Sequence, residues 1–246
     1  MPVPTLYRPL AALLIAALPC LASQCGELDE PCAPDPQGSL RLQALSRTWL
    51  PLSLPDSVRF VSSNGVRTTL RRAASPLVDS LALDARLQGF AYERLEYPDR
   101  TQCGRFFWVE RQRQIYRGRN LNLTLTYDLV RDLQGAYPHF QLPYSDTELL
   151  KATADTLPDA VLVNFNGTAL ATFPVVRRPY RAMFPTPFSG GVRYVDTVRV
   201  AGQLLRGVYR YDAASSGQLA LRHLYFQPGQ GVVGFTYTNN EQWVRY

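Results

Sequence analysis

The residues with the clearest capacity for chemistry are arginines that stand beside aromatic residues in the last third of the chain. Guanidinium groups attract anions, and tyrosine rings stack on the faces of sugars or bases. Such interleaving is typical of surfaces that bind glycans or single-stranded nucleic acid. The alternative is structural, with arginines on the exposed face of strands above cross-strand tyrosines. The candidate ligand contacts are Tyr194, Tyr209, Arg210, Tyr211, Arg222 and Tyr225.

Side chains suited to catalysis or metal binding are sparse. The sequence has two histidines, His139 and His223, and we interpret both first as structural or surface residues. It contains neither the Gly-x-Ser-x-Gly motif of serine hydrolases nor the His-Glu-x-x-His motif of zinc proteases, so the sequence does not indicate either activity. We therefore predict no catalytic residues, no metal and no cofactor.

Two carboxylate pairs are the best candidates for glycoside cleavage, Asp146 with Glu148 and Asp155 with Asp159. Each pair has a simpler structural interpretation. The first belongs to a capping-box pattern that predicts a short helix up to about residue 155. The second stands at the turn that follows. An enzyme is thus left open, and we favour a non-enzymatic protein.

The first residues predict export. Arg8 precedes an apolar segment at residues 10–18, which is followed by the small residues Ala22 and Ser23. This order is typical of a secretory signal, and the apolar segment is too short to span a bilayer. We predict a signal peptide over residues 1–24.

The cysteines add detail to the predicted export. Cys20 lies inside the predicted signal, which leaves Cys25, Cys32 and Cys103 for the exported chain. The residues before Cys25 resemble the bacterial lipoprotein box, with Gln24 in place of the usual Gly or Ala. Lipidation of Cys25 would leave Cys32 and Cys103 to form a disulfide, which would contribute about 4 kcal/mol in the chain-entropy model. The alternative is a local bridge between Cys25 and Cys32, with Cys103 as a buried thiol.

The formal charge of the chain is +6, yet this does not indicate a nucleic-acid partner. Of the 26 basic residues all but Lys151 are arginines, and they are spread along the chain instead of clustered. Export also removes the chain from most nucleic acid. A hydrophobic content of 46% is sufficient for a substantial core.

The alternation of apolar and polar residues predicts a mainly β fold. It is clearest over residues 192–246, where five alternating runs are separated by turn residues. One face of the first run is expected to carry residues 192, 194, 196, 198 and 200. Asn64-Gly65 and Asn166-Gly167 each stand between two such runs and predict two-stranded hairpins. The expected architecture is an antiparallel sandwich or a partly open barrel with at most one or two short helices.

The domain organisation follows from composition. Residues 25–45 are acidic and rich in proline, which favours a tether without a core. Residues 46–246 form the predicted antiparallel β domain, with two β subdomains, 46–135 and 144–246, as the finer alternative. Residues 77–95 admit a helix in their first half, whereas a strand is favoured in their second half.

Three structural motifs carry a family resemblance over most of residues 46–246. They are Trp49-Leu50-Pro51-Leu52, Cys103-Gly104 before an aromatic strand, and Gly231-Val232-Val233-Gly234-Phe235 followed by Glu241-Gln242-Trp243. In these the chain resembles uncharacterised secreted β-rich lipoproteins of Bacteroidetes-type bacteria. The resemblance implies a β scaffold and export, and it implies no activity.

Together these features predict an exported cell-envelope protein, an outer-membrane lipoprotein or a periplasmic or extracellular protein. The leading hypothesis is a non-catalytic binding or structural lipoprotein that contacts the membrane only through its lipid anchor. Its partner would be an envelope protein or a glycan, and the oligomeric state stays open. The alternatives are a carbohydrate-active hydrolase that uses carboxylates assembled by the fold, and a carrier of a lipid or hydrophobic ligand in a barrel cavity.

Overall fold

The computed structural model describes residues 35–84, 105–118, 122–131, 158–167, 169–177, 184–185, 190–213 and 220–246. Within these ranges the chain forms fourteen strands and one short helix, α1 (Ala44–Trp49). The strands are β1 (Asp35–Leu40), β2 (Ser57–Ser62), β3 (Arg67–Arg72), β4 (Leu77–Asp84), β5 (Arg105–Gly118), β6 (Thr124–Arg131), β7 (Asp159–Phe165), β8 (Ala169–Pro174), β9 (Phe184–Pro185), β10 (Gly190–Val200), β11 (Gln203–Ala213), β12 (Leu221–Gln227), β13 (Gly231–Tyr237) and β14 (Gln242–Arg245).

All of these strands belong to one sheet that is nearly closed into a barrel. The order along it is β8-β7-β6-β5-β3-β2-β14-β13-β12-β11-β10-β9, and β1 and β4 both pair with β5. The sheet curls back on itself, since β8, at one end of this order, contacts β10 and β11 near the other end. The prediction of a mainly β, partly open barrel is confirmed. Pairing of β14 with β2 joins the two halves of the chain, so they share one sheet instead of forming separate subdomains.

The turn residues act as the sequence predicted. Asn64-Gly65 connects β2 to β3, and Asn166-Gly167 connects β7 to β8. Asn166 and Gly167 have φ angles of 55° and 72°, the left-handed conformation that a two-residue hairpin turn requires. Both predicted hairpins are therefore confirmed.

The interior of the barrel is a packed core of aromatic and aliphatic side chains. The ring of Phe235 lies 5.1 Å from that of Phe165 and 5.8 Å from that of Trp243, while Phe173 stacks on Phe226 at 4.8 Å. The same core cluster contains residues from β2, β3, β5–β8 and β10–β14. These described side chains pack against one another across the interior.

The predicted tether and the structure differ from residue 35 onward. β1 pairs in parallel with β5, with Asp35 aligned to Arg105, and Leu40 and Leu42 are buried. Residues 35–45 therefore belong to the folded domain. Their composition hid this, because a strand that pairs on one edge needs few apolar residues of its own. The helical alternative for the first half of residues 77–95 is likewise wrong at 77–84, where β4 pairs with β5.

The β10–β11 hairpin bends back over the outer face of the barrel. Its tip packs against β13 and β14, and the backbone N–H of Ala201 donates to Gln242 Oε1 at 2.6 Å. A second small core forms beneath it, to which Val195 and Val198 both contribute. The prediction of strict alternation along β10 is therefore wrong beyond residue 195. The bend turns Val195 and Val198, which are three positions apart, to the same cluster. Gly234 lies under the tip, where a Cβ atom would stand 3.0 Å from the carbonyl oxygen of Trp243.

Candidate functional site

The six candidate ligand contacts do not form one surface. Tyr209 and Tyr211 point into the main core, where the Tyr209 ring lies 5.0 Å from that of Trp49 and 5.4 Å from that of Tyr194. Burial raises the pKa of Tyr209 to about 12, with a smaller contribution from Tyr194. Tyr209 and Tyr211 are core residues, and the structural interpretation holds for them. Neither ring is open to a ligand.

Tyr225 and the two arginines lie on the outer face of the barrel. Tyr225 is buried in the second core beneath the β10–β11 hairpin. Arg210 is half-buried, and Arg222 is exposed, its Nη1 donating to Asn240 Oδ1 at 2.7 Å. Of the six candidates, only Arg210, Arg222 and the partly buried Tyr194 keep side-chain surface that a ligand could reach.

Arg210 belongs to a group that we call the outer patch, formed by Arg193, Arg210, Asp212, His223 and Tyr225. Cross-strand register assembles it, because Arg193 pairs with Arg210, Arg210 with Tyr225, and Asp212 with His223. Register partners point to the same face of a sheet. Asp212 Oδ1 lies 2.7 Å from His223 Nδ1 and 2.8 Å from Arg210 Nε.

The electrostatics of the outer patch favour an ionised Asp212. Burial opposes ionisation of this carboxyl group, but the bond with His223 and the charge of Arg210 outweigh it, so the pKa of Asp212 is lowered. The histidine is therefore hydrogen-bonded, as the sequence interpretation expected. What the sequence did not indicate is the carboxylate that it meets.

A second candidate site is an open groove of about 690 Å³ between α1 and the β1–β5–β4 part of the sheet. We call it the α1 groove. Its lining combines aliphatic, aromatic, hydroxyl and charged groups, and Trp108 within it is 37% exposed. The lining residues are Ser39, Leu40, Arg41, Arg47, Val78, Asp79, Ser80, Trp108 and Glu110.

The length of β5 creates this groove. One half of its 14 residues lies in the barrel between β3 and β6, whereas the other half extends between β4 and β1. Glu110 on the extension accepts hydrogen bonds from the backbone N–H of Leu42 at 3.1 Å and from Arg47 Nη2 at 2.5 Å. These bonds hold the segment leading into α1 above the extended strand and so form one wall of the groove.

A buried ion pair anchors the other side of α1. Asp159 Oδ2 accepts hydrogen bonds from Ser46 Oγ at 2.5 Å and from the backbone N–H of Gln43 at 2.8 Å. Asp159 Oδ1 lies 3.2 Å from Arg131 Nε, and Arg131 also donates to the carbonyl oxygen of Arg41. Burial raises the pKa of Asp159, and it outweighs the bonds and the arginine charge that favour ionisation. The pairing of Asp155 with Asp159 was offered for catalysis, but Asp159 is engaged here in holding α1.

Several of the predictions fall outside the described residues. These are the signal peptide over residues 1–24, the lipidation of Cys25, the disulfide between Cys32 and Cys103, the strand in the second half of residues 77–95, His139, the helix carrying Asp146 and Glu148, and Asp155. The sequence also missed the α1 groove. Its one local signal was Trp108 on a face whose next members, Glu110, Gln112 and Gln114, are polar, which is unusual for the inward face of a strand.

No group of three or more His, Cys, Asp or Glu side chains among the described residues could hold a metal ion. The same ranges contain no helix that is both long and apolar enough to cross a membrane. No family model, no curated protein and no solved structure matches this chain.

Proposed function

We propose that this protein is an exported cell-envelope protein that acts by binding and not by catalysis, with a glycan as its ligand in the α1 groove. The observation that carries this proposal is the exposed Trp108 beside Val78, Ser80 and two arginines in one groove. An indole ring and an aliphatic side chain offer surface to the apolar face of a sugar ring, while hydroxyl and guanidinium groups bond its oxygens.

The charges of the groove favour an acidic glycan. Of the two carboxylates in the groove, Glu110 is paired with Arg47 and Asp79 with Arg111, each at 2.5 Å, whereas Arg41 is exposed at the rim and adds a positive charge. Guanidinium forks match carboxylate groups in shape and in charge. We therefore expect a polysaccharide with uronic acid units to bind more tightly than a neutral one.

Tryptophan fluorescence tests this directly. The chain has three tryptophans, and Trp49 and Trp243 are buried, so iodide should quench Trp108 selectively. Alginate should protect Trp108 from iodide, and dextran should protect it less. Isothermal titration with alginate, which does not depend on the tryptophan signal, should show binding abolished in Trp108→Ala and weakened in Arg41→Ala. Tyr246→Ala is the matched control, because this aromatic residue is 51% exposed and does not line the groove. Binding that is unchanged in Trp108→Ala would remove the groove from the proposal.

We further propose that Cys25 carries a lipid and that Cys32 and Cys103 form a disulfide. The register of β1 and β5 supports the disulfide: Cys32 stands three residues before Asp35 and Cys103 two residues before Arg105, and Asp35 and Arg105 are aligned partners. A disulfide needs Cα atoms about 4.4–6.8 Å apart and both side chains on one face. Because Cys32 and Cys103 are offset by one residue in this register, the proposed bridge requires one further β-bulge like the shift between Pro36 and Gly38.

Mass spectrometry of the mature protein tests both modifications. A diacylglyceryl mass on a chain that begins at Cys25, lost after globomycin treatment, would support the anchor. A proteolytic peptide that links Cys32 to Cys103 only without reductant would support the disulfide, and its reduction should lower stability by about 4 kcal/mol. An unmodified chain that starts upstream of Cys25, or a bridge between Cys25 and Cys32, would contradict the respective proposal.

A glycoside hydrolase is the second candidate, and one observation favours it: Asp79 and Glu110 line the same groove as Trp108. Against it, Asp79 holds Arg111 through two bonds at 2.9 and 2.5 Å, and Glu110 holds Arg47. Release of reducing ends from a bound polysaccharide, lost in Glu110→Gln, would support the hydrolase. Binding without turnover would support the binding protein.

A further inference from the structure

The outer patch contains an unusual arrangement, two arginines that face each other directly across neighbouring strands. Arg193 of β10 and Arg210 of β11 are register partners, and both point away from the core because Val192 and Tyr211 point into it. Directly opposed side chains have Cβ atoms about 4.5–5.5 Å apart, and like charges at that spacing destabilise a sheet. A negatively charged group is needed to offset this repulsion.

The patch itself supplies only part of that charge. Asp212 is its one carboxylate, and its oxygens are engaged by Arg210, with Nη2 to Oδ2 at 3.0 Å, and by His223. Arg193 Nε is buried and has no hydrogen-bond partner among the described residues. The flanking segments 178–189 and 214–219 contain no Asp or Glu in their sequence. The one carboxylate of the patch is thus bonded to Arg210 and His223, and none is bonded to Arg193 Nε among the described residues.

We propose that the outer patch binds an oxyanion, a phosphate or sulfate group held between the guanidinium groups of Arg193 and Arg210. Arginine forks bind such oxygens through paired, charge-assisted hydrogen bonds, so one anion can bridge two opposed guanidinium groups. The side chains of Arg210, Asp212 and His223 are each 20–24% exposed, which leaves an anion access from solvent. This site is independent of the α1 groove, which β1, β4, β5 and α1 form.

Isothermal titration of the full mature chain with inorganic phosphate, inorganic sulfate and glycerol phosphate, at constant ionic strength, tests the proposal. We expect saturable binding, weakened about tenfold or more in Arg193→Ala and in Arg210→Ala because each removes a charged fork. Arg193→Lys keeps the charge and should retain part of the affinity. Arg59→Ala is the matched control, an exposed arginine of β2 that lies outside the patch, and it should bind as the parent does.

Asp212→Asn separates binding from a purely structural role. Removal of this negative charge frees Arg210 and ends the repulsion of an incoming anion, so affinity should rise several-fold while stability falls. A structural cluster alone would lose stability without any gain in affinity. This variant keeps the test decisive if Arg210→Ala fails to fold.

The probes also distinguish the source of the anion. Binding of inorganic phosphate or sulfate indicates a free anion, whereas binding of glycerol phosphate alone indicates an esterified group such as that of a lipid or glycan. The proposal is overturned if none of the three binds saturably, or if Arg193→Ala binds as the parent does. Failure here would leave glycan binding at Trp108 untouched, because the two sites share no residue.

Discussion

Two arginine–aspartate clusters lie on different parts of this barrel, and they differ in burial and in the pKa of the aspartate. Arg131 and Asp159 have side chains 4% and 0% exposed, and α1 covers them. Arg210 and Asp212 are 20% and 24% exposed on the outer face. The pKa of Asp159 is raised, chiefly by burial. Burial is also the largest single influence on the pKa of Asp212, but His223 and Arg210 together outweigh it and lower that pKa.

The difference shows how a covering segment changes the role of an ion pair. Asp159 receives Ser46 and the backbone of Gln43, so its capacity as an acceptor is used in attaching α1 to the barrel. In the outer patch Arg210 and Asp212 stay partly exposed, at 20% and 24%, and a second arginine, Arg193, faces Arg210. We infer that the first cluster fixes a wall of the α1 groove and that the second is available to a ligand.

The largest expected effect is at the buried cluster. Asp159→Ala leaves the Arg131 charge buried without its partner and should lower the free energy of unfolding by about 3–5 kcal/mol, measured by urea denaturation. The double variant Arg131→Met with Asp159→Leu removes both charges and should recover much of this loss. If Asp159→Ala proved as mild as a change in the outer patch, burial would not distinguish the two clusters.

A smaller and local effect is expected at the wall of the α1 groove. Glu110→Gln weakens the bonds to Arg47 and to the Leu42 N–H, which should cost about 1 kcal/mol because Arg47 is largely exposed. Hydrogen exchange should quicken in residues 41–49 and stay unchanged in β12 and β13. Equal protection of residues 41–49 in this variant and the parent would show that Asp159 alone holds α1.

Asp212→Asn should have a smaller effect on stability than either. Its partners Arg210 and His223 are 20% and 22% exposed, so solvent partly screens the pairs and the loss should be at most about 1 kcal/mol in urea denaturation. Arg59→Ala, an exposed arginine on β2, is a control for nonspecific charge effects. A loss of several kcal/mol would mean that the outer patch, like the Asp159 cluster, has a mainly structural role.

The smallest expected effects are the pH slopes, and they should differ in sign. Asp212 has a lowered folded pKa, so its contribution is complete above the unfolded value of about 3.9 and is lost as pH falls below it. Asp159 has a raised folded pKa, so the protein gains stability as pH falls through that pKa towards about 3.9. Urea denaturation from pH 6 to 3, compared with Asp159→Asn and Asp212→Asn, separates the two. Slopes of the same sign would contradict the assigned directions.

Much of the scaffold was predictable from local patterns. Asn64-Gly65 and Asn166-Gly167 indicated their hairpins, because few other residues adopt the left-handed turn conformation. The alternation over residues 192–246 predicted β10 to β14, since a half-buried strand imposes a period of two. It failed where β10 bends over the barrel, because Val195 and Val198, three positions apart, both pack against the second core there.

The candidate sites were predictable only in part. Arg210 and His223 were noticed as residue types, but their meeting with Asp212 depends on the register of β11 with β12. Tyr209 and Tyr211 were taken as ligand contacts, yet the same register points them into the core. The α1 groove depends on bonds between Glu110 and Leu42, 68 positions apart, and on the parallel pairing of a segment whose composition indicated a tether.

The sequence by itself determined the class of fold and most of its hairpins, because turn chemistry and side-chain alternation act between neighbours in the chain. It could not determine which arginine meets which carboxylate, or whether that pair is buried. Those outcomes depend on strand order, register and the placement of α1, all of which join residues far apart in sequence. The tertiary structure alone decided that Asp159 lies under α1 and that Asp212 lies on an open face.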